Sequence, residues 1–372
     1  MHDFAVIGLG AIGSATAAEL VRRGHSVVGF DRYTPPHTMG SAHSDTRMIR
    51  AAWYHGSPYM PLVRDAFRRW KKLERSSGRT LLRTGGALMM GPEDGRVFAG
   101  SPLRGVVRPD TGDLLLSVEE VVERFPWLRP GHGTVTIYEP GAAVLSLEAC
   151  LETMLEVAEG ADLRFDEPAV GWSASAAGVR VRTERGEYSA RRLAIAAGAW
   201  TPQLLPELSL PLEVERTVQY WFEPAGAHAG ALAEGPAWVW ELAREGTWYG
   251  FPPTERGLKA GMHFQAGRGT DVERVDRAVG TEETRELRRL FGRYAPGVAG
   301  ALAHASVCLY TNTPDEDFIL DRHPDHPEAV LFAGGSGHAF KFAPVLGSLL
   351  ADLLTDEPPS GALAPFSIDR FR

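Results

Sequence analysis

The chain has 372 residues, 44% of them hydrophobic and 23% charged, with a formal net charge of −8. That length exceeds what one hydrophobic core usually serves, so two domains are expected, and the ordinary composition excludes a disordered chain. Acidic and basic residues are interspersed rather than blocked, which leaves no basic footprint for nucleic acid and no polybasic anchor for a membrane.

The two cysteines, Cys150 and Cys308, are too few for a disulfide framework. No uncharged apolar run is long enough to predict a transmembrane helix. The opening MHDFAVIGLG enters an apolar strand without a basic leader, so no signal peptide is read and the cytoplasm is the expected location.

In chain order, Phe4–Ile7 reads as a strand, GLGAIG as a glycine turn, Ser14–Arg23 as an amphipathic helix, and Ser26–Phe30 as a second strand closed by Asp31. This strand–turn–helix–strand unit has the size of a mononucleotide-binding fold. The loop RYTPPHTMGSAHSDTR follows, and Arg47 to about Glu74 reads as mostly helical, broken near HGSPY. Residues 81–140 predict short strands and one helix, whose start is marked by a capping box at Ser117 and Glu120. Leu145–Glu159 predicts a helix, 176–189 a hairpin, and RRLAIAAGAW a buried strand running into a glycine turn. Aromatic segments between 213 and 264 predict strands, and Thr281–Arg293 predicts a charged helix. The last stretch returns to strand, glycine turn and a helix through Leu354. The expected fold class is α/β with α+β character. A Rossmann-like cofactor domain (1–80, 140–212 and 305–372) carries an inserted antiparallel sheet (81–139 and 213–304) as the substrate domain.

GLGAIG places Gly8, Gly10 and Gly13 in G-x-G-x-x-G spacing after a strand and ahead of a helix. Such a turn brings backbone N–H groups to a pyrophosphate, and Asp31 at the next strand end suits a ribose diol. Arg32 beside it leaves NADP open. A second glycine-rich turn, AGGSGHAFKFAP at 333–344, contains Gly337. Two anion-friendly turns on one domain suit FAD, whose pyrophosphate and ring carbonyls both want backbone donors.

In SDTRMIR, Arg47 and Arg50 lie three apart at the start of the expected helix, with Asp45 or Thr46 as its N-cap, so they share a face. Two guanidiniums there make an anion site or, equally, an ordinary salt-bridged surface. The chain has only four lysines: Lys71, Lys72, Lys259 and Lys341. In the strand RGLKAGMHF, alternation puts Leu258, Ala260, Met262 and Phe264 on one face and Lys259, Gly261 and His263 on the other. Tyr249, Gly250 and Phe251 are expected on a neighbouring strand. A lysine facing an enclosed cavity can stabilise negative charge developing on oxygen. Lys341, between Phe340 and Phe342, follows the same logic as a carboxylate clamp. Cys308, Tyr310 and Asn312 share a strand face, where the residues alone favour a buried cysteine that only packs. His304, His323, His326 and His338 show no ligand spacing, so no metal is expected.

Together these residues resemble the family of monomeric sarcosine oxidases and N-methyltryptophan oxidases, which are flavoenzymes. The resemblance covers nearly the whole chain. It rests on GLGAIGSA, PPHTMGSAHSDTRMIR, YGFPPTERGLKAGMH, CLYTNTPDEDFILDRHP and GGSGHAFKFAPVLG, of which the last four together are specific. It implies FAD attached to Cys308 through the 8α-methyl carbon, replacing the packing-only reading of that residue. It implies that Lys259 lies over the flavin and promotes reduction of oxygen, and that Arg50 and Lys341 hold the substrate carboxylate. His43, Thr46 and Arg47 are implied close to the flavin ring, and Tyr249, His263 and Tyr310 on the substrate side. The implied activity is oxidative N-demethylation of an N-methyl amino acid by O2, giving the amino acid, formaldehyde and hydrogen peroxide, carried out by a monomer. PPTERG, ahead of Lys259, looks shorter than in sarcosine oxidase and nearer to N-methyltryptophan oxidase, which leaves the side-chain preference open. The alternatives are an FAD oxidase of a cyclic secondary amino acid such as pipecolate, an NAD(P)-dependent dehydrogenase, and a non-catalytic flavin-binding module.

Overall fold

Strand His2–Ile7 pairs in parallel with Val27–Phe30 on one side and Glu187–Ile195 on the other. The computed structural model describes residues 1–52, 57–95, 112–242, 245–263, 269–359 and 361–372. Two further parallel partners extend this sheet, Asp162–Arg164 beside Val27–Phe30 and Ala329–Ala333 beside Glu187–Ile195. Val6, Val28 and Phe30 are wholly buried: Val6 lies under the long helices on one face, and Val28 and Phe30 pack on the other face with Val179, Val181, Leu205 and Ile368. Ala169–Ser175, Gly178–Thr183 and Ile319–Arg322 complete it as antiparallel edges. Helix Ala11–Arg22 opens directly after the first glycine turn and packs on helix Ala343–Thr355, which follows the second one.

The second sheet runs in the order Ala299–Asn312, Glu213–Pro224, Leu258–His263, Gly246–Gly250, Ala237–Leu242, Ala87–Pro92, Thr134–Glu139 and Leu114–Leu116. Its pairings are antiparallel except one, since Ala237–Leu242 runs parallel to Ala87–Pro92. The all-antiparallel expectation is corrected at that junction. Leu258, Ala260, Met262, Trp238, Trp240 and Trp248 share one core with Leu287, Leu290 and Phe291 of helix Thr281–Tyr294. That helix covers one face of the sheet and leaves Lys259 on the other. Phe264, expected in the same apolar row, lies outside the described residues, as do His55 and Gly56 of the expected break at HGSPY.

A small third sheet, Thr46–Ile49, Ala143–Ser146 and Leu82–Thr84, corrects two sequence expectations. The segment from Arg47 begins as a strand, and helix Tyr59–Ser77 starts only later. Likewise Ala143–Ser146 is a strand, and the helix expected from Leu145 spans Leu147–Val157. Thr46↔Ser146 and Ile49↔Ala143 pairing is a long-range choice that local propensity does not announce. The capping box is present, with Glu120 N–H donating to Ser117 Oγ at 3.2 Å and Ser117 N–H to Glu120 Oε2 at 2.8 Å.

Candidate active site

The first glycine turn is built by close approach. A side chain at Gly13 would lie 1.7 Å from the Gly8 carbonyl oxygen, so only glycine lets this helix sit on the strand it follows. A Cβ at Gly10 would meet nothing nearer than the Ala42 methyl at 3.9 Å, because that residue borders open space. Asp31 is buried and accepts from Leu9 N–H at 2.7 Å and from Tyr33 N–H at 2.9 Å. Its carboxylate therefore holds the turn in shape as well as facing the cavity. That cavity, about 410 Å³, runs from Asp31 and Trp200 past Gly8 and Gly10 to Arg47, Tyr310 and Gly337. At the far turn, a side chain on Gly337 would lie 2.6 Å from the Tyr310 ring.

A second cavity of about 90 Å³ adjoins the first, sharing Arg47, Tyr310 and Gly337 with it. All seven residues singled out for catalysis border it: Arg47, Arg50, Tyr249, Lys259, His263, Tyr310 and Lys341. Strand alternation explains the gathering, since Lys259 and His263 come from one strand and Tyr249, opposite Gly261, from its neighbour. Arg47 and Arg50 arrive by a route other than the expected helix face. Arg47 sits within strand Thr46–Ile49, Arg50 just beyond its end, and neither Asp45 nor Thr46 caps a helix there. Arg47 instead grips the preceding loop, donating to Ser41 O and His43 O at 3.0 Å each and to Thr46 O at 2.9 Å.

Cys308, His43 and Thr46 are buried just behind the cavity walls rather than on them. The Cys308 thiol lies 3.7 Å from Ser41 O and 4.0 Å from Arg47 Nη2. Three residues that sequence reading missed belong here. Glu139 accepts from the Ala51 and Ala52 N–H groups at 2.8–3.0 Å and so holds the backbone after Arg50. Gln219 borders the second cavity with a buried side-chain oxygen that has no hydrogen-bond partner among the described residues. Ser44 donates to Asp45 and accepts from Lys259. None carries a local pattern by which a sequence could reveal it.

Electrostatics set the charge states. Lys259 is 1% exposed, and its Nζ donates to Ser44 Oγ at 2.6 Å and Thr46 O at 2.8 Å. Burial, then the Arg47 charge, pushes its pKa well below the usual lysine value, while Asp45 pulls the other way. Lys341 donates to His338 O at 2.6 Å, and burial, then Arg50 and Arg47, lowers its pKa in the same manner. His43 and His338 are driven down to about 3, chiefly by burial, so both imidazoles are neutral at physiological pH. Burial raises Tyr249 and, together with Tyr249 itself, raises Tyr310. The two phenols are therefore neutral donors, and Tyr310 Oη meets His263 Nδ1 at 3.0 Å. Among the described residues no group of three His, Cys, Asp or Glu is placed to hold a metal, and no helix is long and apolar enough to cross a membrane.

The family described as FAD dependent oxidoreductase matches residues 3–353. The chain belongs to the FAD-dependent oxidoreductase family. It is 37% identical over 374 residues to monomeric sarcosine oxidase from Streptomyces avermitilis, with 98% of this chain and 97% of that one covered. To N-methyl-L-tryptophan oxidase from Salmonella heidelberg it is 33% identical over 373 residues, covering 100% and 99%. The fold is also that of glycine oxidase from Geobacillus kaustophilus, at a TM-score of 0.78 and 21% identity, over 99% of this chain and 98% of that one. As an FAD-dependent oxidoreductase the protein takes FAD, which replaces the nicotinamide alternative. The first cavity fits that cofactor. The start of helix Ala11–Arg22 and its glycine turn offer backbone donors to a pyrophosphate, Asp31 faces the cavity one strand over, and the glycine at 337 leaves room beside Tyr310 for a flat ring.

Proposed function

We propose that this FAD-dependent oxidoreductase removes the N-methyl group of a small N-methyl amino acid, consuming O2 and water and releasing the amino acid, formaldehyde and hydrogen peroxide. The observation that carries the reading is the convergence of Arg50 and Lys341 on a cavity of about 90 Å³ that joins the cofactor cavity. Two cations there suit one carboxylate.

When bound, FAD supplies the acceptor for the electron pair leaving the substrate C–H bond and hands it on to O2. The protein's own residues do the rest. Arg50 and Lys341 hold the carboxylate and thereby fix where the methyl group lies. Arg47, Arg50, Lys259 and Lys341 around one space disfavour an ammonium, which helps the bound amine lose the proton that blocks its oxidation. Tyr249 and Tyr310, kept neutral, offer O–H donors without adding charge, and His263 orients Tyr310. Lys259 is the group proposed to meet the negative charge that develops on oxygen. We further propose a monomeric, cytoplasmic enzyme whose cofactor domain is 1–80, 140–212 and 305–372 and whose substrate domain is 81–139 and 213–304. The name of the Streptomyces relative supports the monomer, and the division into two large sheets supports the domains, although strand Ala299–Asn312 runs unbroken across the boundary at 304/305.

With sarcosine the expected result is one formaldehyde and one hydrogen peroxide per O2 consumed, at a rate that rises with pH as the bound amine deprotonates. Oxygen consumption with pipecolate and none with sarcosine would reject this reading in favour of the cyclic-amine one.

Covalent attachment of the cofactor at Cys308 is part of the proposal. Cys308 Sγ lies just behind the cofactor cavity, 4.0 Å from Arg47 Nη2, which supports this reading. After acid precipitation the yellow colour is expected in the pellet, and Cys308→Ser is expected to release it to the supernatant. Colour in the supernatant from the unaltered protein would end the idea.

A further inference from the structure

Ser44 holds a backbone conformation that an L side chain rarely adopts, with φ at +94°. A glycine would occupy it more easily, so a serine there carries strain that some other interaction must offset. The residue is 2% exposed, and its hydroxyl lies between two charged groups. It accepts from Lys259 Nζ at 2.6 Å and donates to Asp45 Oδ1 at 3.2 Å. The Asp45 carboxylate is held in turn by the Trp221 indole N–H at 3.1 Å and by the Thr254 hydroxyl. An ammonium, a hydroxyl and a carboxylate thus form a short polarised chain inside the protein.

We infer that Ser44 is a positioning residue for Lys259: its hydroxyl relays the charge of Asp45 to the ammonium and fixes where that cation points. The inference rests on the reading of Lys259 as the cation that serves oxygen. Among the groups around that ammonium, Asp45 favours its charge, while Arg47 and Arg256 oppose it; Cys308, bonded to the cofactor in the proposed enzyme, carries no charge there. His43, neutral down to about pH 3, neither helps nor hinders. Burial lowers the pKa of Lys259 and Asp45 opposes that shift, and the Ser44 hydroxyl touches both groups. Asp45 is suited to the task. Burial alone would raise its carboxyl, but Lys259 and the Thr254 and Trp221 donors outweigh that and hold it below the usual carboxylate range.

The test compares Ser44→Gly, Ser44→Ala, Lys259→Met and the double variant Ser44→Gly/Lys259→Met as flavin-loaded proteins. Stopped-flow absorbance follows flavin reduction by substrate and reoxidation by O2 separately. Losing a hydrogen bond to a charged group should slow reoxidation about tenfold in both Ser44 variants, with reduction within about twofold. A Lys259 that has lost a stabilising partner gives up its proton at lower pH. The pH at which reoxidation begins to fall should therefore move down by about one unit. Strain is read apart from activity: Ser44→Gly should melt no lower than the unaltered protein, and Ser44→Ala should melt below Ser44→Gly. In the Lys259→Met background, Ser44→Gly should add nothing to the loss. A slow Lys259→Met beside a Ser44→Gly with unaltered reoxidation and pH profile would overturn the inference and leave the Lys259 reading standing. Losses that simply multiply in the double variant would also overturn it. Normal reoxidation by Lys259→Met would instead bring down the Lys259 reading itself.

Discussion

Lys259→Met is expected to slow reoxidation of the reduced enzyme by O2 by about 100-fold, the usual consequence of removing one preorganised partner for charge developing on oxygen. Methionine has nearly the reach of lysine, so the strand and the Trp221 and Phe251 contacts stay filled while the charge goes. Reduction by substrate should change by only a few-fold, since the carboxylate clamp does not involve this residue. The same change removes the cation that faces the buried Asp45 carboxylate, so Lys259→Met should also melt below the unaltered protein. Stopped-flow traces in which both half-reactions slow equally would rule out the assigned role.

Arg50→Ala and Lys341→Ala are each expected to raise KM, and the Kd of a simple carboxylate inhibitor, by roughly 10- to 100-fold, because a hydrogen bond to a charged group is worth about 1.5–3 kcal/mol. The two differ in pH behaviour. Arg50 stays charged throughout the accessible range. Lys341 has a lowered pKa, so its share of carboxylate affinity is fully present at low pH and is lost as pH rises through that value. Inhibitor binding should accordingly weaken with rising pH in the unaltered enzyme and in Arg50→Ala, and lose much of that dependence in Lys341→Ala. Titrating the flavin absorbance with inhibitor across pH measures this directly. Affinity indifferent to both substitutions would remove the clamp from the mechanism.

Some of the site was legible in the sequence because its physics is local. A tight turn needs its glycines at fixed offsets, and strand alternation alone put Lys259 and His263 on one face away from Leu258 and Ala260. Arg47 and Arg50 show where locality fails. Their segment has helical composition, yet Thr46–Ile49 is claimed by Ala143–Ser146, a partner far along the chain. The grouping of the two arginines at one cavity was right for a reason other than the one periodicity offered. Ser44 and Glu139 were beyond reach, since the first acquires its meaning from a lysine 215 positions later and the second from backbone N–H groups 87 and 88 positions earlier.

The interleaving of the fold also bears on how the protein is made. Strand His2–Ile7 is made well before its neighbour Glu187–Ile195, and the helix behind it rests on the still later Ala343–Thr355. At ordinary synthesis speeds the gap between first and last partners is on the order of tens of seconds. Throughout that time the nascent chain carries the glycine turn that starts the cofactor cradle but lacks Tyr310 and Gly337 at its far end. A cradle whose far end is Tyr310 and Gly337 is complete only late in translation, so cofactor loading follows the synthesis of most of the chain.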